Sequence, residues 1–276
     1  MRRMRLRTGM VAVALLAAVA LVGLLPTQGL AGKYMDRIQT KGVLTVGTTG
    51  HFPPFTVKDK MGNYIGFDMQ LAKYMAEAMG VKLEVKRYDM NKLLDAVKKG
   101  KVDMALAGIT MTLERNKKVV FVGPYSVTGQ SILAKKAVVD KVNEDSHYMN
   151  NPKFKLVVVK GTTGATVAKT VLPKATIIEK NTMTEAFDMV LNNKADALMA
   201  DQSFCIVSAF QHKNREIGVS EPITAEPVGV ALPDGDYLLV NWVQNFLSKL
   251  QSAGVLEKMK KYWFSNPAWI KKIPSQ

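Results

Sequence analysis

Apolar and polar positions along the chain form a first series that predicts strands alternating with helices. Strands are predicted by apolar runs at 43–46, 83–85 and 102–106, and helices by apolar steps of three and four at 68–80 and 91–99. Asp68 is expected to cap the first helix, and Met75 and Met79 to lie on its buried face. Strands joined by crossover helices run parallel, so this series predicts a parallel sheet with helices on both faces.

A second series repeats this order later in the chain. It predicts strands at 156–159, 176–178 and 197–199 and helices at 164–171 and 184–192, with Thr182 and Glu185 in the spacing of a capping box. Extended apolar segments at 129–137 and 228–233 link the two series, and helices are predicted at 238–253 and 255–263. We therefore expect an α/β protein of two lobes, joined by two hinge crossings that leave a cleft between them.

The domain limits follow from this order. Lobe 1 is predicted to be discontinuous, from 32–130 and 231–276, and lobe 2 to be 131–230. Residues 1–31 begin with Arg2, Arg3, Arg5 and Arg7, continue with an apolar run from Met10 to Leu25, and end with small residues. This pattern predicts a cleaved signal peptide, because the apolar run is short for a membrane span. The expected location is the periplasm.

Charge and cysteine content exclude several classes of function. The formal net charge is +15, and loss of the four N-terminal arginines would lower it by four, but the lysines are scattered over several predicted helices. This distribution argues against nucleic-acid binding. Cys205 is the single cysteine and is expected to be a buried apolar thiol. The three histidines are far apart in sequence, so neither a metal site nor a cofactor is predicted.

The most informative segment runs from Ala105 to Arg115, where a buried strand leads into a polar turn that ends in an arginine. Gly108 lets a ligand approach the backbone, Thr110 supplies a hydroxyl, and the planar guanidinium of Arg115 matches two carboxylate oxygens. The alternative is an ordinary strand end with a helix cap at Thr112 and a solvated arginine.

Three further polar turns follow predicted strands. Thr49 and Phe52 lie in a proline-stiffened loop, and a second turn, Gly161 to Gly164, opens a helix whose free amides favour an anion. Asp201 follows a strand and is either a ligand carboxylate or a helix cap. The ends of parallel strands are where ligands bind in such folds, so these turns predict a single site.

Several motifs in this order resemble the family 3 solute-binding proteins, the periplasmic receptors of amino-acid ABC importers. They are Gly42-Val-Leu-Thr-Val-Gly47, Pro54-Phe55, Gly66-Phe67-Asp68, Ala105-Leu-Ala-Gly-Ile-Thr-Met-Thr-Leu-Glu-Arg115, Gly123-Pro-Tyr125, Gly161-Thr-Thr163 and Ala195-Asp-Ala-Leu-Met-Ala-Asp201. The resemblance covers the chain after residue 31 and implies a two-lobed type II periplasmic-binding fold. It also implies an amino-acid ligand, a membrane permease as partner, and a monomer.

The resemblance implies a role for individual residues. Arg115 is expected to hold the ligand carboxylate with Thr110, the backbone at Gly108 and the amides of Thr162 and Thr163. Asp201 is expected to receive the ammonium group, and Phe52 to cover the ligand side chain. The full set of expected ligand-binding residues is Thr49, Phe52, Met90, Ala107, Gly108, Thr110, Arg115, Thr162, Thr163, Asp201 and Phe204.

One departure from the family pattern bears on the ligand. Thr49 stands where many members carry an acid, and a buried cationic side chain needs such a partner. Phe52, Met90 and Phe204 suit an apolar or uncharged polar side chain. We therefore expect weak or no binding of arginine.

Two other functions use the same fold. The loop around Phe52 and the ending Leu113-Glu-Arg115 also resemble exported cyclohexadienyl dehydratases, which act on prephenate or arogenate and need a general acid. No acid follows Asp201 between Gln202 and Phe210, so a binding protein is favoured over an enzyme, although His51 could replace that acid. A sensory ectodomain or the regulatory module of a lytic enzyme would need more chain than the residues after Trp263.

Overall fold

The structure is a computed structural model that describes residues 32–145 and 147–274. The predicted signal peptide, residues 1–31, lies outside the described residues. Within the described ranges, no helix is long and apolar enough to cross a membrane.

The described residues form thirteen strands and ten α-helices. The strands are β1 Val43–Thr48, β2 His51–Phe52, β3 Thr56–Lys58, β4 Tyr64–Ile65, β5 Lys82–Arg87, β6 Met104–Ala105, β7 Val120–Thr128, β8 Gln130–Lys135, β9 Lys155–Val159, β10 Thr176–Lys180, β11 Ala197–Asp201, β12 Ile217–Val219 and β13 Glu226–Leu232. The helices are α1 Lys33–Lys41, α2 Phe67–Met79, α3 Met90–Lys98, α4 Leu113–Asn116, α5 Lys136–Glu144, α6 Thr163–Val171, α7 Met183–Leu191, α8 Gln202–Gln211, α9 Tyr237–Ser252 and α10 Val255–Lys260. Shorter helical turns are Lys213–Arg215, Lys261–Ser265 and Pro267–Lys272.

The first sheet has five strands in the order β5, β1, β6, β13 and β7. The pairs of β1 with β5 and with β6 are parallel, as the strand and helix order predicts, while β13 pairs antiparallel with β6 and β7. The second sheet repeats this arrangement in the order β10, β9, β11, β8 and β12. Each sheet is therefore mixed, with one parallel and one antiparallel half.

The antiparallel strands are those next to the crossings between the two sheets. Strand β7 lies in the first sheet and β8 in the second, with only Gly129 between them, and the return passes from β12 to β13. The predicted boundary between residues 230 and 231 falls inside β13, whose residues Glu226–Leu232 all belong to a strand of the first sheet. The lobe limits stay a prediction, and the sheets favour crossings at Gly129 and 220–225.

Equivalent edges of the two sheets face each other, since residues that follow corresponding strands of both sheets line one cleft. Polar residues follow β1, β5 and β6 of the first sheet and β9, β10 and β11 of the second. This arrangement positions the site described below.

Most predicted helices agree with the structure to within one or two residues, but the cap of α2 is different. Helix α2 begins after Gly66, and Asp68 lies fully buried in its first turn, where it makes no capping hydrogen bond. Asp68 accepts instead from the backbone of Gly108 and the hydroxyl of Tyr125. The expectation of a cap was wrong because the side chain points into the core, towards the site loop.

Other local predictions are confirmed. Met75 is buried on α2, and Met79 is nearly so, in one apolar core with the rest of that helix face. Thr182 and Glu185 form the predicted capping box at the start of α7. Cys205 is fully buried, and its burial raises the pKa of its thiol, so it is an inert core side chain.

Candidate functional site

A cleft at the facing edges of the two sheets contains about 520 Å³ of space, part of it open to solvent. Its walls come from the turns after β1, β5 and β6 and from those after β9, β10 and β11. The lining residues are Thr49, His51, Phe52, Arg87, Tyr88, Asp89, Met90, Gly108, Thr110, Arg115, Val159, Thr162, Thr163, Asn181, Thr182, Met183 and Asp201.

Arg115 lies in the short helix α4, whose N-cap Thr112 accepts a hydrogen bond from the Arg115 backbone. Its guanidinium is fixed by two carbonyl oxygens, with Nη1 2.8 Å from Thr110 O and Nη2 2.9 Å from Gly161 O. Burial lowers the pKa of Arg115, while the charges of Asp201 and Glu226 oppose that shift. Arginine nevertheless stays charged in proteins, so the cleft contains a rigid cation.

Asp201 ends β11 and precedes α8, but its side chain makes no capping hydrogen bond. The carboxyl group is buried, and its Oδ1 atom has no hydrogen-bond partner among the described residues. Burial and then the charge of Glu226 raise its pKa to about 7, against the opposing effects of the Gln130 amide and Arg115. An acid with this pKa can take up or release a proton near neutral pH.

Glu226 is a site residue that the sequence analysis missed. It is the first residue of β13 and is buried, and its Oε2 accepts from the hydroxyls of Thr110 (2.7 Å) and Thr163 (2.6 Å). The amide of Gln130 also donates to Oε2, at 3.3 Å. The available signal was a glutamate next to an otherwise apolar run, where a buried charge needs several partners.

The turn after β9 has a different role from the predicted one at Thr162. The N–H of Thr162 donates to Val159 O at 3.2 Å, and its hydroxyl receives the N–H of Ala165 as the cap of α6. Thr162 therefore lines the cleft without a free amide. Thr163 is the first residue of α6, and its N–H has no carbonyl partner within that helix.

Gly108 and Phe52 form the opposite wall, and Phe55 packs against Phe52. Gly108 has a φ of +61°, and a Cβ there would lie 2.6 Å from Cε1 of Phe52 and 2.8 Å from Cδ2 of Phe55. Phe52 stacks on Phe55 on one side and on Phe204 on the other, with centroid distances of 5.6 and 6.0 Å. This aromatic stack requires a glycine at position 108.

Two expected ligand-binding residues do not line the cleft. Ala107 is fully buried in the core cluster that contains Leu93 and Val102, because it points to the opposite face from Gly108. Phe204 lies behind Phe52, so it supports the aromatic wall without reaching the cleft. The other nine predicted residues are brought together in the cleft.

The far end of the cleft is more polar than expected. Thr49 and Met90 line it, and so do side chains that the sequence analysis did not single out as ligand-binding residues, namely His51, Arg87, Tyr88, Asp89, Asn181 and Met183. Asp89 is paired with Arg87 at 3.1 Å and lies 3.7 Å from Lys92. The Oγ1 atom of Thr49 is buried without a hydrogen-bond partner in the described part of the chain.

In the described ranges, no group of three or more histidine, cysteine, aspartate or glutamate side chains is arranged to hold an ion. The site is instead a pair of separated charges, Arg115 and Asp201, with polar hydroxyls between them. Such a site suits a small ligand with groups of both signs.

Comparison with known proteins agrees with this architecture. The chain is 27% identical to a cyclohexadienyl dehydratase from Pseudomonas aeruginosa, over 90% of this chain and 93% of the relative. It is 29% identical to the glutamine-binding protein of an ABC transporter from Bacillus subtilis, over 78% and 76% of the two chains.

Solved structures give the same result. An ancestral amino acid-binding protein, a precursor of cyclohexadienyl dehydratase, shares 38% identity and a TM-score of 0.76 over 83% of this chain and 98% of its own. A binding component of an ABC transporter from Wolinella succinogenes, complexed with lysine, shares 35% identity and a TM-score of 0.79, over 84% and 100%. The predicted type II periplasmic-binding fold is confirmed.

The family model of bacterial extracellular solute-binding proteins, family 3, matches residues 44–266, which include every residue that lines the cleft. The chain belongs to this family.

Proposed function

We propose that the protein is an exported receptor that captures an α-amino acid in the cleft and delivers it to an ABC importer. The observation that carries the proposal is the placement of Arg115 and Asp201 in one cleft, with Arg115 in the helix that follows a strand of the first sheet and Asp201 at the end of a strand of the second. Neither forms an ion pair with a protein group among the described residues. An amino-acid zwitterion supplies the partner that each charge needs.

The charge balance favours a ligand with an ammonium group. Asp201 and Glu226 are two buried carboxyl groups around the single positive charge of Arg115. A zwitterion adds a carboxylate beside Arg115 and a cation beside Asp201, so no added charge stays unpaired. A dicarboxylate without an amine would leave its second negative charge next to these acids, which is unfavourable.

The far end of the cleft supports an uncharged side chain. Asp89 could attract a cation, but Arg87 and Lys92 already neutralise it. Thr49 offers a buried hydroxyl that has no hydrogen-bond partner within the described ranges, while Phe52 and Met90 offer apolar surface. We infer a polar uncharged or apolar ligand side chain, although some solved relatives are complexes with lysine or arginine.

Export, delivery and oligomeric state belong to the same proposal. The extracellular family and the signal-like residues 1–31 support a periplasmic location. Relatives that serve ABC importers support a membrane permease as partner. We propose that the receptor acts as a monomer.

A thermal-shift screen with the twenty standard amino acids tests the proposal. A ligand at about 100 times its dissociation constant stabilises the folded protein by roughly 2.7 kcal/mol, which raises the midpoint by several degrees. No shift with any of the twenty would contradict the proposed function.

A second candidate function is a cyclohexadienyl dehydratase. The similarity to the Pseudomonas enzyme favours it, and so does the pKa of Asp201 of about 7, because a general acid must hold a proton at working pH. Helix α8, directly after Asp201, carries no acidic residue, which argues against it. Incubation with prephenate distinguishes the two: release of phenylpyruvate would support the enzyme, and its absence the receptor.

A further inference from the structure

Glu226 connects the two sides of the cleft through side-chain hydroxyls. Thr110 follows β6 of the first sheet and Thr163 opens α6 beside the second, and both hydroxyls donate to the same Oε2 atom. The other carboxylate oxygen, Oε1, accepts from the hydroxyl of Thr224 at 3.1 Å. Both oxygens of Glu226 are thus used as acceptors, although only Thr110 and Thr163 line the ligand cleft.

These bonds fix the direction of each hydroxyl proton. A threonine hydroxyl has one proton to donate and two lone pairs to accept with. The proton of Thr110 and that of Thr163 are both used by Glu226, so neither hydroxyl can donate to a ligand. The amide of Gln130 also donates to Thr163 Oγ1 at 3.2 Å, which agrees with an acceptor role for that oxygen.

Three acceptor atoms then remain in one cleft. The Oγ1 atoms of Thr110 and Thr163 are 3.4 Å apart, and the Oδ1 atom of Asp201 is buried without a hydrogen-bond partner among the residues that the structure describes. A protonated primary amine offers three N–H donors, which equals this number of acceptors. A hydroxyl group in the same place offers only one donor and carries no charge.

We propose that Glu226 determines the specificity of the site for a protonated α-amine, by orienting the hydroxyls of Thr110 and Thr163 as acceptors. It is a positioning residue, because it acts through these threonines and is not among the residues that line the cleft. This role rests on the proposed function, since it assumes an amino-acid ligand. It also revises the expected role of the Thr110 side chain, which serves the ammonium group and not the carboxylate.

The carboxylate end of the ligand is served by different groups. The guanidinium of Arg115 and the N–H of Thr163 are donors, and in the described part of the chain Glu226 forms no hydrogen bond or ion pair with that guanidinium, although its charge acts on it through space. Thr163 thus contributes a donor N–H to one end and an acceptor hydroxyl to the other. Replacement of Glu226 should therefore change the preference between amine and hydroxyl, because any effect on carboxylate binding is common to both kinds of ligand.

The test compares an amine with a hydroxyl at the same position. The probes are the standard L-amino acid with the largest thermal shift on the wild type and the 2-hydroxy acid with the same side chain, both measured by calorimetry. Glu226→Met removes the acceptor oxygens at similar length. Glu226→Gln is a milder variant that keeps the shape, and Glu221→Met, at an exposed glutamate on the same crossing, is the matched control.

The expected result is a change in the ratio of the two affinities. The affinity for the amino acid divided by the affinity for the 2-hydroxy acid should fall about tenfold or more in Glu226→Met, because hydrogen bonds to a charged group are lost. The fall should be smaller in Glu226→Gln. The ratio should stay unchanged in Glu221→Met. A purely structural role of Glu226 would weaken both probes in equal proportion.

The outcomes test the role of Glu226 separately from the proposed function. If the wild type binds an amino acid but the ratio is unchanged in folded Glu226→Met or Glu226→Gln, the role of Glu226 is wrong and the proposed function stands. If the Met variant does not fold, the Gln variant decides alone. If the wild type binds none of the twenty amino acids, both proposals are wrong.

Discussion

The Nη2 atom of Arg115 donates a hydrogen bond of 2.9 Å to the carbonyl oxygen of Gly161, across the cleft from its own helix. The residue that we propose for carboxylate binding therefore already links the turns of the two sheets. A ligand carboxylate would share the guanidinium with these carbonyl oxygens. Closure of the cleft and binding of the ligand are thus expected to depend on the same side chain.

Replacement of this arginine should abolish binding. Arg115→Ala removes the cation, so every thermal shift seen with an amino acid should disappear. Arg115→Lys keeps a charge but not the planar fork, and should lose about tenfold or more in affinity. Lys117→Ala, two residues away and exposed, is the control and should bind like the wild type. Unchanged shifts in Arg115→Ala would show that the carboxylate binds elsewhere.

Ligand binding should release a proton near pH 6. The ligand-free pKa of Asp201 is about 7, and an ammonium group beside it stabilises the ionised form and lowers that pKa. Below pH 7 the carboxyl group must lose its proton before it can bind, so the affinity should weaken as pH falls, by up to about tenfold per unit. Above pH 7 the affinity should level off.

Calorimetry in buffers of different ionisation enthalpy measures this proton release at pH 6. Burial lowers the pKa of His51, the histidine in the cleft, so His51 titrates at lower pH than an exposed histidine. Asp201→Asn removes the titrating group and should abolish the release together with most of the affinity. Proton uptake by the wild type at pH 6 would contradict the assignment of Asp201.

Asp68 should make the ligand-free protein less stable as pH rises. Burial raises its pKa from 3.8 to about 7, against the hydrogen bonds from Gly108 (2.6 Å) and Tyr125 (2.8 Å). At pH values between 3.8 and about 7, the carboxyl group of Asp68 has lost its proton in the unfolded chain but keeps it in the folded protein. The free energy of unfolding should therefore fall by up to about 1.4 kcal/mol per pH unit from pH 4 to 7.

Asp68→Asn tests this sign, because asparagine cannot ionise. The variant should match the wild type near pH 4 and equal or exceed its stability at pH 8, as measured by urea unfolding. Asp234→Asn, at an exposed position, should leave the pH profile unchanged. An equal loss of stability at both pH values would mean that the hydrogen bonds of Asp68 outweigh its burial.

Local patterns in the sequence predicted the helices, but they did not predict contacts between residues far apart in sequence. Helices α2, α3 and α7 follow from apolar spacing, and the start of α7 also follows from a capping box whose two residues are neighbours in sequence. Glu226 could not be recognised in this way, because its partners Thr110 and Thr163 are 116 and 63 residues away. A pattern of period two or 3.6 carries no information on such contacts.

The same reason explains two smaller errors. Ala107 and Phe204 belong to segments that reach the cleft, but the direction of each side chain depends on the local backbone and on packing. Gly108 has a positive φ, so the direction of the backbone changes directly after Ala107. Phe204 is covered by Phe52, a residue far away in sequence. The sequence therefore identifies the segments of the site more reliably than their individual contacts.

Gly108→Ala should damage the site more than backbone strain alone explains. A positive φ costs alanine about 1 kcal/mol, and the added Cβ would also lie 2.6 Å from the Phe52 ring. Gly42→Ala is the matched control, since Gly42 has a φ of +63° and no atom near the added Cβ. Chemical unfolding should show a greater loss for Gly108→Ala, with weaker ligand binding. Equal losses of unfolding free energy in the two variants would mean that the Phe52 ring moves away from the added Cβ without an energetic cost.

Thr49 should decide whether the cleft accepts a cationic side chain. The wild type offers a neutral hydroxyl there, so calorimetry should find arginine and lysine bound weakly or not at all. Thr49→Asp adds a carboxylate in the cleft, where a cationic side chain can pair with it. Arginine affinity should rise by about tenfold or more, because charge-assisted hydrogen bonds are stronger than neutral ones.

The same substitution should weaken uncharged ligands, since a buried carboxylate without a partner is unfavourable. Thr176→Asp, at an exposed position of β10, is the control and should change neither ligand class. If arginine is already the tightest ligand of the wild type, the paired Asp89 is not neutralised as we infer. The cleft would then recognise a cationic side chain through Asp89, and Thr49→Asp would add little to that affinity.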